Sequence, residues 1–271
     1  MIILGIDVGG SNTKIIGLRD GVPMDPIHVR ATDPITSVFG ALGKYISVNN
    51  LTLSDISRIM VTGVGSSHLD EDLYGIPTEK VEELTCVGKG GLYLSKLKNA
   101  VVVSLGTGTA FVNASQDKVL HMGGTGVGGG TVLGLSSKLL HVRSFDSIVD
   151  LANQGDLSQV DLTIGDISRS EVSNMSATTT ASNFGKISDT ATNGDVAAGI
   201  LNMVFQTVGL MAVFNARIAK TNDIVVCGRL AQAPHCMKTL EGIKALHGVN
   251  FIIPENAEFA TALGAALSAK E

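Results

Sequence analysis

The residues best suited to chemistry stand at the start of the chain, where an acid, a glycine pair and a lysine follow an apolar run. Asp7 ends that run, and Gly9, Gly10 and Lys14 follow before a second apolar run. Two apolar runs separated by glycines are typical of a β-hairpin. Since glycine has no Cβ, the N–H groups of the turn can approach an anion closely. Asp7 could then hold Mg²⁺ through water, with Lys14 as a point charge. An ordinary hairpin turn with a solvated acid and lysine is the alternative.

Two further glycine-rich stretches could contact phosphate. The turn Gly106-Thr107-Gly108-Thr109 follows an apolar run, and threonine hydroxyls can donate to phosphate oxygens. Seven of the twelve residues from Gly123 to Gly134 are glycine. Glycine is costly to order, so this density predicts close backbone contact, and the helix that follows offers free N–H groups. A plain β-turn and a flexible loop are the respective alternatives.

Charged residues at two helix starts complete the candidates. Gly228 and Arg229 follow an apolar strand, where a flat ring could lie against the backbone and stack on the guanidinium. Glu82 and Glu83 precede a helix, where the dipole favours acids. If a hydroxyl is to be phosphorylated, a carboxylate across from the γ-phosphate is the expected base. The alternatives are a tight turn with a solvated arginine at Arg229 and a simple helix start at Glu82 and Glu83.

The composition describes a well-cored soluble protein. The chain has 271 residues, 44% of them hydrophobic, and a net charge of −5. No basic cluster stands out, so nucleic acid and anionic membranes are poor partners. The three cysteines form no CxxC pair and the first apolar run is a short strand rather than a leader, which predicts a cytoplasmic location. Neither a GxxxxGK[ST] motif nor a complete dinucleotide fingerprint occurs.

The apolar pattern predicts an α/β protein with two lobes. Each lobe begins with strand, Gly/Thr turn and strand, so we expect two related lobes that face one ligand, residues 1–98 and 99–271, with the last helix packing back on the first lobe. The expected strands are 2–8, 13–19, 24–30, 59–62, 101–105, 110–112, 118–121, 224–227 and 251–253. The expected helices are 34–48, 82–97, 130–141, 195–220, 233–246 and 257–269.

One segment is long enough to cross a bilayer. Val196 to Ala216 contains no charged residue. Polar residues interrupt it, and charged residues bracket it closely, so we expect a buried core or dimer-interface helix rather than a membrane span.

Taken in order, these motifs resemble the type II pantothenate kinases of the acetate-kinase, sugar-kinase, Hsp70 and actin superfamily. The opening turn resembles the family's first phosphate loop, and Lys80 to Leu84 resembles the segment that carries its catalytic base. The stretches 105–109 and 123–131 are similar to its second-lobe ATP loops. The segments 181–185 and 259–265 also look like family signatures.

The resemblance implies two actin-like, ribonuclease H-like lobes, ATP with Mg²⁺, pantothenate as acceptor and a homodimer. Glu83 would be the catalytic base, Asp7 would position Mg²⁺ through water, and His121 and Asn183 would approach pantothenate. The implied ATP-binding residues are Asp7, Gly9, Gly10, Ser11, Asn12, Thr13, Lys14, Thr107, Gly129, Gly130, Thr131, Val132, Leu133, Phe145 and Arg229. Among these, the N–H groups of 129–133 would hold phosphates, and Phe145 and Arg229 would bracket adenine.

The chain departs from the family pattern at two positions. His121 stands where the family usually carries an arginine that helps to hold pantothenate, and imidazole cannot make a bidentate clamp. Thr85 stands where an acid often follows the base. A kinase for a sugar or another pantothenate-like alcohol, and a pseudokinase that binds nucleotide or acyl-CoA, therefore remain alternatives. A third alternative, an iron–sulfur activator ATPase of the same superfamily, lacks support because the cysteines of this chain are unsuitably placed.

Overall fold

A computed structural model describes residues 1–10, 12–30, 33–169 and 175–269. Two mixed β-sheets and eight helices of α type account for most of these described residues. We call the elements around the first sheet the first lobe and those around the second sheet the second lobe.

The first sheet is an antiparallel meander extended by two parallel strands. Its spatial order is β3-β2-β1-β5-β6, and β4 also pairs with β2. The strands are β1 Ile2–Val8, β2 Asn12–Arg19, β3 Val22–Pro23, β4 Ile27–Arg30, β5 Ile56–Thr62 and β6 Thr78–Lys80. Helix α1, Pro34–Val48, covers one face. The Asp33 side chain accepts a hydrogen bond from the Thr36 N–H and Pro34 is the first helical residue, which explains the sharp start of this helix.

The second sheet repeats this topology. Its order is β13-β12-β7-β8-β9, antiparallel from β7 to β9 and parallel from β7 to β13. The strands are β7 Asn99–Leu105, β8 Thr109–Ser115, β9 Val119–Thr125, β12 Asp223–Cys227 and β13 Asn250–Ile252. In both sheets the first strand lies between its hairpin partner and a parallel strand. Parallel strands end at the same edge of a sheet. The turn between β1 and β2 therefore lies beside the end of β5, and the turn between β7 and β8 lies beside the end of β12.

The remaining helices pack on the second sheet or lie between the lobes. Their bounds are α2 Glu83–Ser95, α3 Gly129–Leu139, α4 Phe145–Ala152, α5 Ile164–Ile167, α6 Asn193–Ala219, α7 Pro234–His247 and α8 Ala260–Ala266. A separate small pair is formed by β10 Leu162–Thr163 and β11 Thr180–Ser182. Helices α3, α4, α6 and α7 contribute to one core with the second sheet, while α2 packs on its opposite face.

Helices α2 and α8 cross closely between the two sheets. A Cβ at Gly90 would overlap the Ala260 carbonyl oxygen, and one at Gly264 would overlap the Cys86 carbonyl oxygen. Gly5 of β1 stands in the same relation to Ala262, so α8 packs against the first sheet. Glycine at these positions lets the backbones meet, and α2 is thereby fixed at the junction of the lobes. The division of the chain at 98/99 stays a prediction.

Several elements differ from those expected. The strand expected at 118–121 extends to Thr125, because Gly123 and Gly124 pair with β8 beyond a bulge. The final helix is shorter than 257–269, since a 3₁₀ turn over Ala257–Phe259 precedes α8. The strand expected at 24–30 is found only over Ile27–Arg30, and the separate short strand β3 precedes it at Val22–Pro23. The short elements β6, β10, β11, α4 and α5 were not expected.

Helix α6 is the one helix of the described residues that is long and apolar enough to cross a bilayer. It has 27 residues and a window of mean hydropathy 1.8, of which 67% is buried within the protein. It therefore packs as a core helix of the second lobe, and it also presents Leu210, Phe214 and Ile218 to solvent.

Candidate functional site

An acid and a lysine lie side by side where β1 ends and β2 begins. Asp7 and Lys14 are register partners, and the Lys14 Nζ lies 3.3 Å from Oδ2 of Asp7. The Asp7 side chain is buried. Gly63, which follows the neighbouring β5, has a φ of 87°, and a Cβ there would lie 2.6 Å from the Asp7 Oδ1. Glycine at this position therefore lets the end of β5 approach the carboxylate closely.

The turn between β1 and β2 has an open side. The Gly9 N–H donates to the Asn12 carbonyl at 3.1 Å, and a Cβ at Gly10 would meet no atom within 4 Å. The Asn12 Oδ1 and the Thr13 hydroxyl are buried and have no hydrogen-bond partner among the described residues. Thr13 is fully buried, so the structure does not bring its hydroxyl to the surface of the turn as a phosphate donor. Ser11, the other predicted hydroxyl, lies outside the described residues.

The two acids before α2 have different environments. Glu82 caps the helix, because its carboxylate accepts hydrogen bonds from the N–H groups of Leu84 at 3.0 Å and Thr85 at 2.6 Å. Partial burial opposes these bonds, but together they hold the pKa of Glu82 below its ordinary value. Glu82 is thus committed to the helix start.

Glu83, the first residue of α2, faces the Asp7–Lys14 pair. Burial raises the pKa of Glu83, the negative charges of Asp7 and Glu82 raise it further, and Lys14 opposes them. The fold thus brings together three residues that are distant in sequence. A partly buried carboxylate with a raised pKa beside a cation is suited to accept a proton.

The predicted acceptor-binding residues are separated. His121 is exposed on β9, opposite Val112, and its charge contributes to the lowered pKa of Glu82, which places it near the start of α2. The Asn183 amide instead donates to Asp161 at 3.1 Å and to the Gln206 Oε1 at 3.4 Å. No hydrogen bond among the described residues joins Asn183 to Glu83 or His121. Its amide is used by the buried Asp161, so it does not point freely into an acceptor site.

The two glycine-rich stretches of the second lobe bind each other. The N–H groups of Gly129 and Gly130 donate to the carbonyls of Gly106 and Thr107, both at 2.8 Å. A Cβ at Gly128 would lie 2.9 Å from the Thr107 carbonyl oxygen. The glycines are therefore required, at least in part, for contact between the two loops.

The contact between the two loops changes the role expected of the Gly129 and Gly130 N–H groups, which were predicted to hold phosphate. The Gly129 and Gly130 N–H groups are already used by carbonyls, so they are not free to hold a phosphate in this structure. The Val132 N–H donates to the Gly128 carbonyl within the first turn of α3, and it is not free either. Thr107 remains exposed on the turn. The Thr131 hydroxyl donates to the Gly126 carbonyl and accepts from the Gly128 N–H, which fixes the start of the helix.

A cavity of about 410 Å³ joins the first turn to the predicted adenine residues. Its lining residues are Asn12, Arg30, Leu133, Arg143, Ser144, Phe145 and Arg229. The Arg229 guanidinium carbon lies 5.8 Å from the centre of the Phe145 ring, and its nitrogen lies 3.1 Å from the Asp146 carboxylate. The fold thus brings four of the predicted ATP-binding residues to one cavity: Asn12, Leu133, Phe145 and Arg229.

Three lining residues were not among the sequence candidates: Arg30, Arg143 and Ser144. No motif indicated Arg30, which reaches the site because β4 pairs with β2 and Arg30 is the register partner of Asn12. No pattern around Arg143 and Ser144 indicated the site, because they lie in the short connection between α3 and α4.

The residues around Asp7 fit a hydrated magnesium ion. No group of three or more His, Cys, Asp or Glu side chains among the described residues could form a cage for a metal. Mg²⁺ commonly keeps several waters and takes one or two carboxylates together with phosphate oxygens. The single carboxylate of Asp7 at the strand end can supply the protein ligand of such an ion.

Comparison with known proteins identifies the family. The family model described as Fumble matches residues 30–251. A type II pantothenate kinase of Bacillus thuringiensis subsp. konkukian is 30% identical over 236 residues, covering 83% of this chain and 82% of the relative. The chain belongs to the Fumble, or type II pantothenate kinase, family. A type II pantothenate kinase of Bacillus anthracis is 31% identical over 235 residues, with the same coverage of 83% and 82%.

Solved structures similar to this family member share its fold. The activator of the 2-hydroxyisocaproyl-CoA dehydratase from Clostridium difficile, with bound ADPNP, has a TM-score of 0.71 at 20% identity and covers 98% of this chain and 93% of that one. A ROK family glucokinase from Streptomyces griseus, in complex with glucose and AMPPNP, has a TM-score of 0.62 at 11% identity and covers 99% of each chain. At these identities the similarity concerns the fold alone, and it confirms the predicted two-lobed actin-like architecture.

Proposed function

We propose that this type II pantothenate kinase family member transfers the γ-phosphoryl group of ATP to the primary hydroxyl of pantothenate. The products are ADP and 4′-phosphopantothenate, and the reaction is the first step of coenzyme A synthesis. Family membership supports the choice of reaction. The position of Glu83 beside Asp7 and Lys14 is the observation that carries the mechanism.

Glu83 is the general base of this proposal. The pantothenate hydroxyl oxygen forms a bond to the γ-phosphorus while the bond between that phosphorus and the bridging oxygen of ADP breaks. The hydroxyl proton passes to the Glu83 carboxylate. The raised pKa makes Glu83 a better proton acceptor than an ordinary solvated carboxylate.

Asp7 is the residue that would hold Mg²⁺, through water. The ion would neutralise charge on the phosphate chain when bound. Lys14 supplies a second positive charge and also offsets the repulsion between Asp7 and Glu83. The turn residues Gly9, Gly10 and Asn12 would surround the phosphates on the open side of the hairpin.

Nucleotide binding continues into the second lobe. Thr107 is exposed at the second turn, and Thr131, Val132 and Leu133 begin the helix beside it. Phe145 and Arg229 would bracket adenine, which requires the ring to enter between or beside two groups that now contact each other. Gly129 and Gly130 act indirectly, by holding the two loops together.

The acceptor site lies near the start of α2 and the exposed His121. Asn183 contributes less directly than expected, since its amide supports the buried Asp161. The comparisons do not favour another acceptor over pantothenate. The sugar-kinase alternative rests on the shared fold, and the pseudokinase alternative does not account for the arrangement of Asp7, Lys14 and Glu83.

We also infer a cytoplasmic homodimer that takes small molecules as substrates. The free, buried cysteines support a reducing compartment. The exposed stripe Leu210, Phe214 and Ile218 on α6 would be covered by a second copy. Neither nucleic acid nor a membrane is part of this proposal, since α6 is mostly buried within its own lobe.

The test compares Glu83→Gln with Glu82→Gln. Both variants remove one negative charge from adjacent residues, and glutamine can still accept helix-capping hydrogen bonds at position 82. We expect Glu83→Gln to lower kcat by about 10²–10⁴-fold with ATP affinity retained, and Glu82→Gln to keep kcat within about threefold because it does not face the reacting groups. Near-normal turnover of Glu83→Gln would contradict the assignment of the base.

Acceptor identity needs a separate measurement. ATP consumption by the wild-type protein should be followed with pantothenate, pantetheine and N-acetylhexosamines. We expect pantothenate to give the highest kcat/KM. A preference for a hexosamine would reject the proposed reaction, and binding of ATP without turnover of any acceptor would favour the pseudokinase.

A further inference from the structure

The nucleotide cavity is rich in arginine although the chain as a whole is acidic. Arg30, Arg143 and Arg229 are among its seven lining residues, in a protein with a net charge of −5. Such a local excess of positive charge favours an anionic ligand. The three arginines differ in how their charges are balanced.

Arg229 has an acidic partner within the protein. Its guanidinium contacts both carboxylate oxygens of Asp146 at 3.1 Å and lies over the Phe145 ring. This geometry holds Arg229 against the ring and neutralises much of its charge. Arg229 is therefore suited to shape an adenine site more than to attract phosphate.

Arg30 and Arg143 have no such partner. Within the part of the chain that the structure describes, no carboxylate lies at ion-pair distance from either guanidinium. The Arg143 Nε donates to the neutral Ser137 hydroxyl at 3.2 Å. Both side chains are exposed within the cavity region, so their charges are available to a ligand.

The two arginines belong to different lobes. Arg30 is the last residue of β4 in the first sheet and the register partner of Asn12, beside the first turn. Arg143 precedes α4, two residues before Phe145. Like charges that line one cavity repel each other, and a polyanion between them removes that repulsion. Guanidinium groups match phosphate oxygens in pairs.

We propose that Arg30 and Arg143 bind the phosphate chain of the nucleotide, one from each lobe. The inference rests on the proposed function for ATP as the ligand and adds to it the residues that set nucleotide affinity. By contacting one ligand, the two arginines also link the lobes in the bound state.

The test measures nucleotide affinity by calorimetry with Arg30→Gln, Arg143→Gln and the double variant. Arg19→Gln is the matched control, since Arg19 is an exposed arginine at the far end of β2. We expect each single variant to lose on the order of tenfold in ATP and ADP affinity, the range of a charged hydrogen bond. Adenosine affinity should stay within about twofold in all variants, as should ATP affinity in the control.

Charge-conserving variants and salt separate binding from folding. Arg30→Lys and Arg143→Lys should recover part of the lost ATP affinity, because charge is kept and the paired geometry is not. In the wild-type protein, ATP affinity should fall with added KCl more steeply than adenosine affinity. Wild-type-like ATP affinity in both glutamine variants would overturn the proposal, and so would an equal loss for adenosine. If a glutamine variant fails to fold, the lysine variants and the salt dependence still test whether the two arginines contribute to ATP affinity.

The outcome is independent of the acceptor. Nucleotide affinity is measured without pantothenate, whereas the proposed reaction is tested by wild-type turnover. Arginine-dependent ATP binding without pantothenate turnover would reject the reaction and keep this inference. Pantothenate turnover with arginine-independent ATP binding would do the reverse.

Discussion

The first hairpin turns of the two sheets occupy equivalent positions in the same topology, yet they are built differently. The turn of the first sheet is open on one side and stands beside the charged pair of Asp7 and Lys14. The turn of the second sheet is covered by the glycine-rich segment, whose Gly129 and Gly130 N–H groups bond to its carbonyls. Similar strand–turn–strand patterns can therefore serve two purposes. In the proposed function, the first turn provides charge for chemistry, and the second provides a rigid support for the ligand.

The largest expected effect comes from breaking the charged turn. Asp7→Asn removes the carboxylate that would hold Mg²⁺ and leaves Lys14 without its partner. We expect kcat/KM for ATP to fall by about 10²–10⁴-fold, the usual range for losing preorganised charge stabilisation. Steady-state kinetics across Mg²⁺ concentrations measure it.

The matched change in the second turn is Thr107→Val, which keeps the shape and removes the hydroxyl. We expect a loss of about tenfold or less, the value of one neutral hydrogen bond to the nucleotide. If Thr107→Val costs as much as Asp7→Asn, the division of roles between the turns is wrong.

A substitution at Gly63, beside the first turn, should also impair the charged turn, with a smaller effect than Asp7→Asn. Gly63→Ala forces a side chain into a position with φ of 87° and within 2.6 Å of the Asp7 Oδ1. We expect it to cost about 1–3 kcal/mol in the free energy of unfolding and to lower kcat, because the carboxylate must move. Urea denaturation and kinetics on the same preparation check both parts.

Gly10→Ala is the control on the open side of the first turn. No described atom lies within 4 Å of its added Cβ, so stability should change by less than about 1 kcal/mol. A larger loss of stability at Gly10 than at Gly63 would contradict the description of this turn.

The pH dependence of kcat/KM should reveal the coupling of Glu83 to the first turn. The proposed base must be ionised, so we expect activity to rise as pH rises through the pKa of Glu83, which lies above its ordinary value. Asp7→Asn removes a negative charge that raises this pKa, so the acidic limb should move to lower pH. Lys14→Met removes a positive charge that lowers it, so the limb should move to higher pH. If the acidic limbs of the wild-type, Asp7→Asn and Lys14→Met profiles coincide, the charges of Asp7 and Lys14 do not affect the pKa of Glu83.

The smallest effect is expected at His121. His121→Arg restores the cation usual in the family at a position near the start of α2. We expect the KM for pantothenate to fall by a few-fold, with kcat and ATP affinity unchanged, because a guanidinium can make paired hydrogen bonds. An unchanged KM would indicate that position 121 does not contact the acceptor in this protein.

Elements with strong local signals were predicted well. Helix 34–48 was found as expected, because Asp33 caps it and Pro34 starts it. The hairpin of β1 and β2 followed from apolar runs on either side of a glycine pair. Short elements such as β6 and α5 carry too few residues for a period to be recognised, and their existence depends on neighbours that the chain brings from elsewhere.

Tertiary contacts overrode two local interpretations and added two residues that were not predicted. The glycines near 123–130 suggested a ligand loop, but part of the run is strand and part contacts the second turn. The Asn183 amide is used by the buried Asp161, which lies 22 positions away in the chain. Arg30 and Arg143 also line the cavity, although no sequence motif marks either residue.

The sequence by itself determined the family, the α/β class and the residue types that carry the charge, because local turn chemistry and apolar period are written in neighbouring positions. It determined too that Glu82 or Glu83 would begin a helix. The family resemblance already selected Glu83 rather than Glu82 as the base. Only the tertiary structure decided that Glu82 caps the helix, that Glu83 lies near Asp7 and Lys14, and which arginines lack an acidic partner. Burial, pKa and charge balance depend on distances between residues far apart in the chain, and the packing of α2 and α8 between the sheets sets those distances.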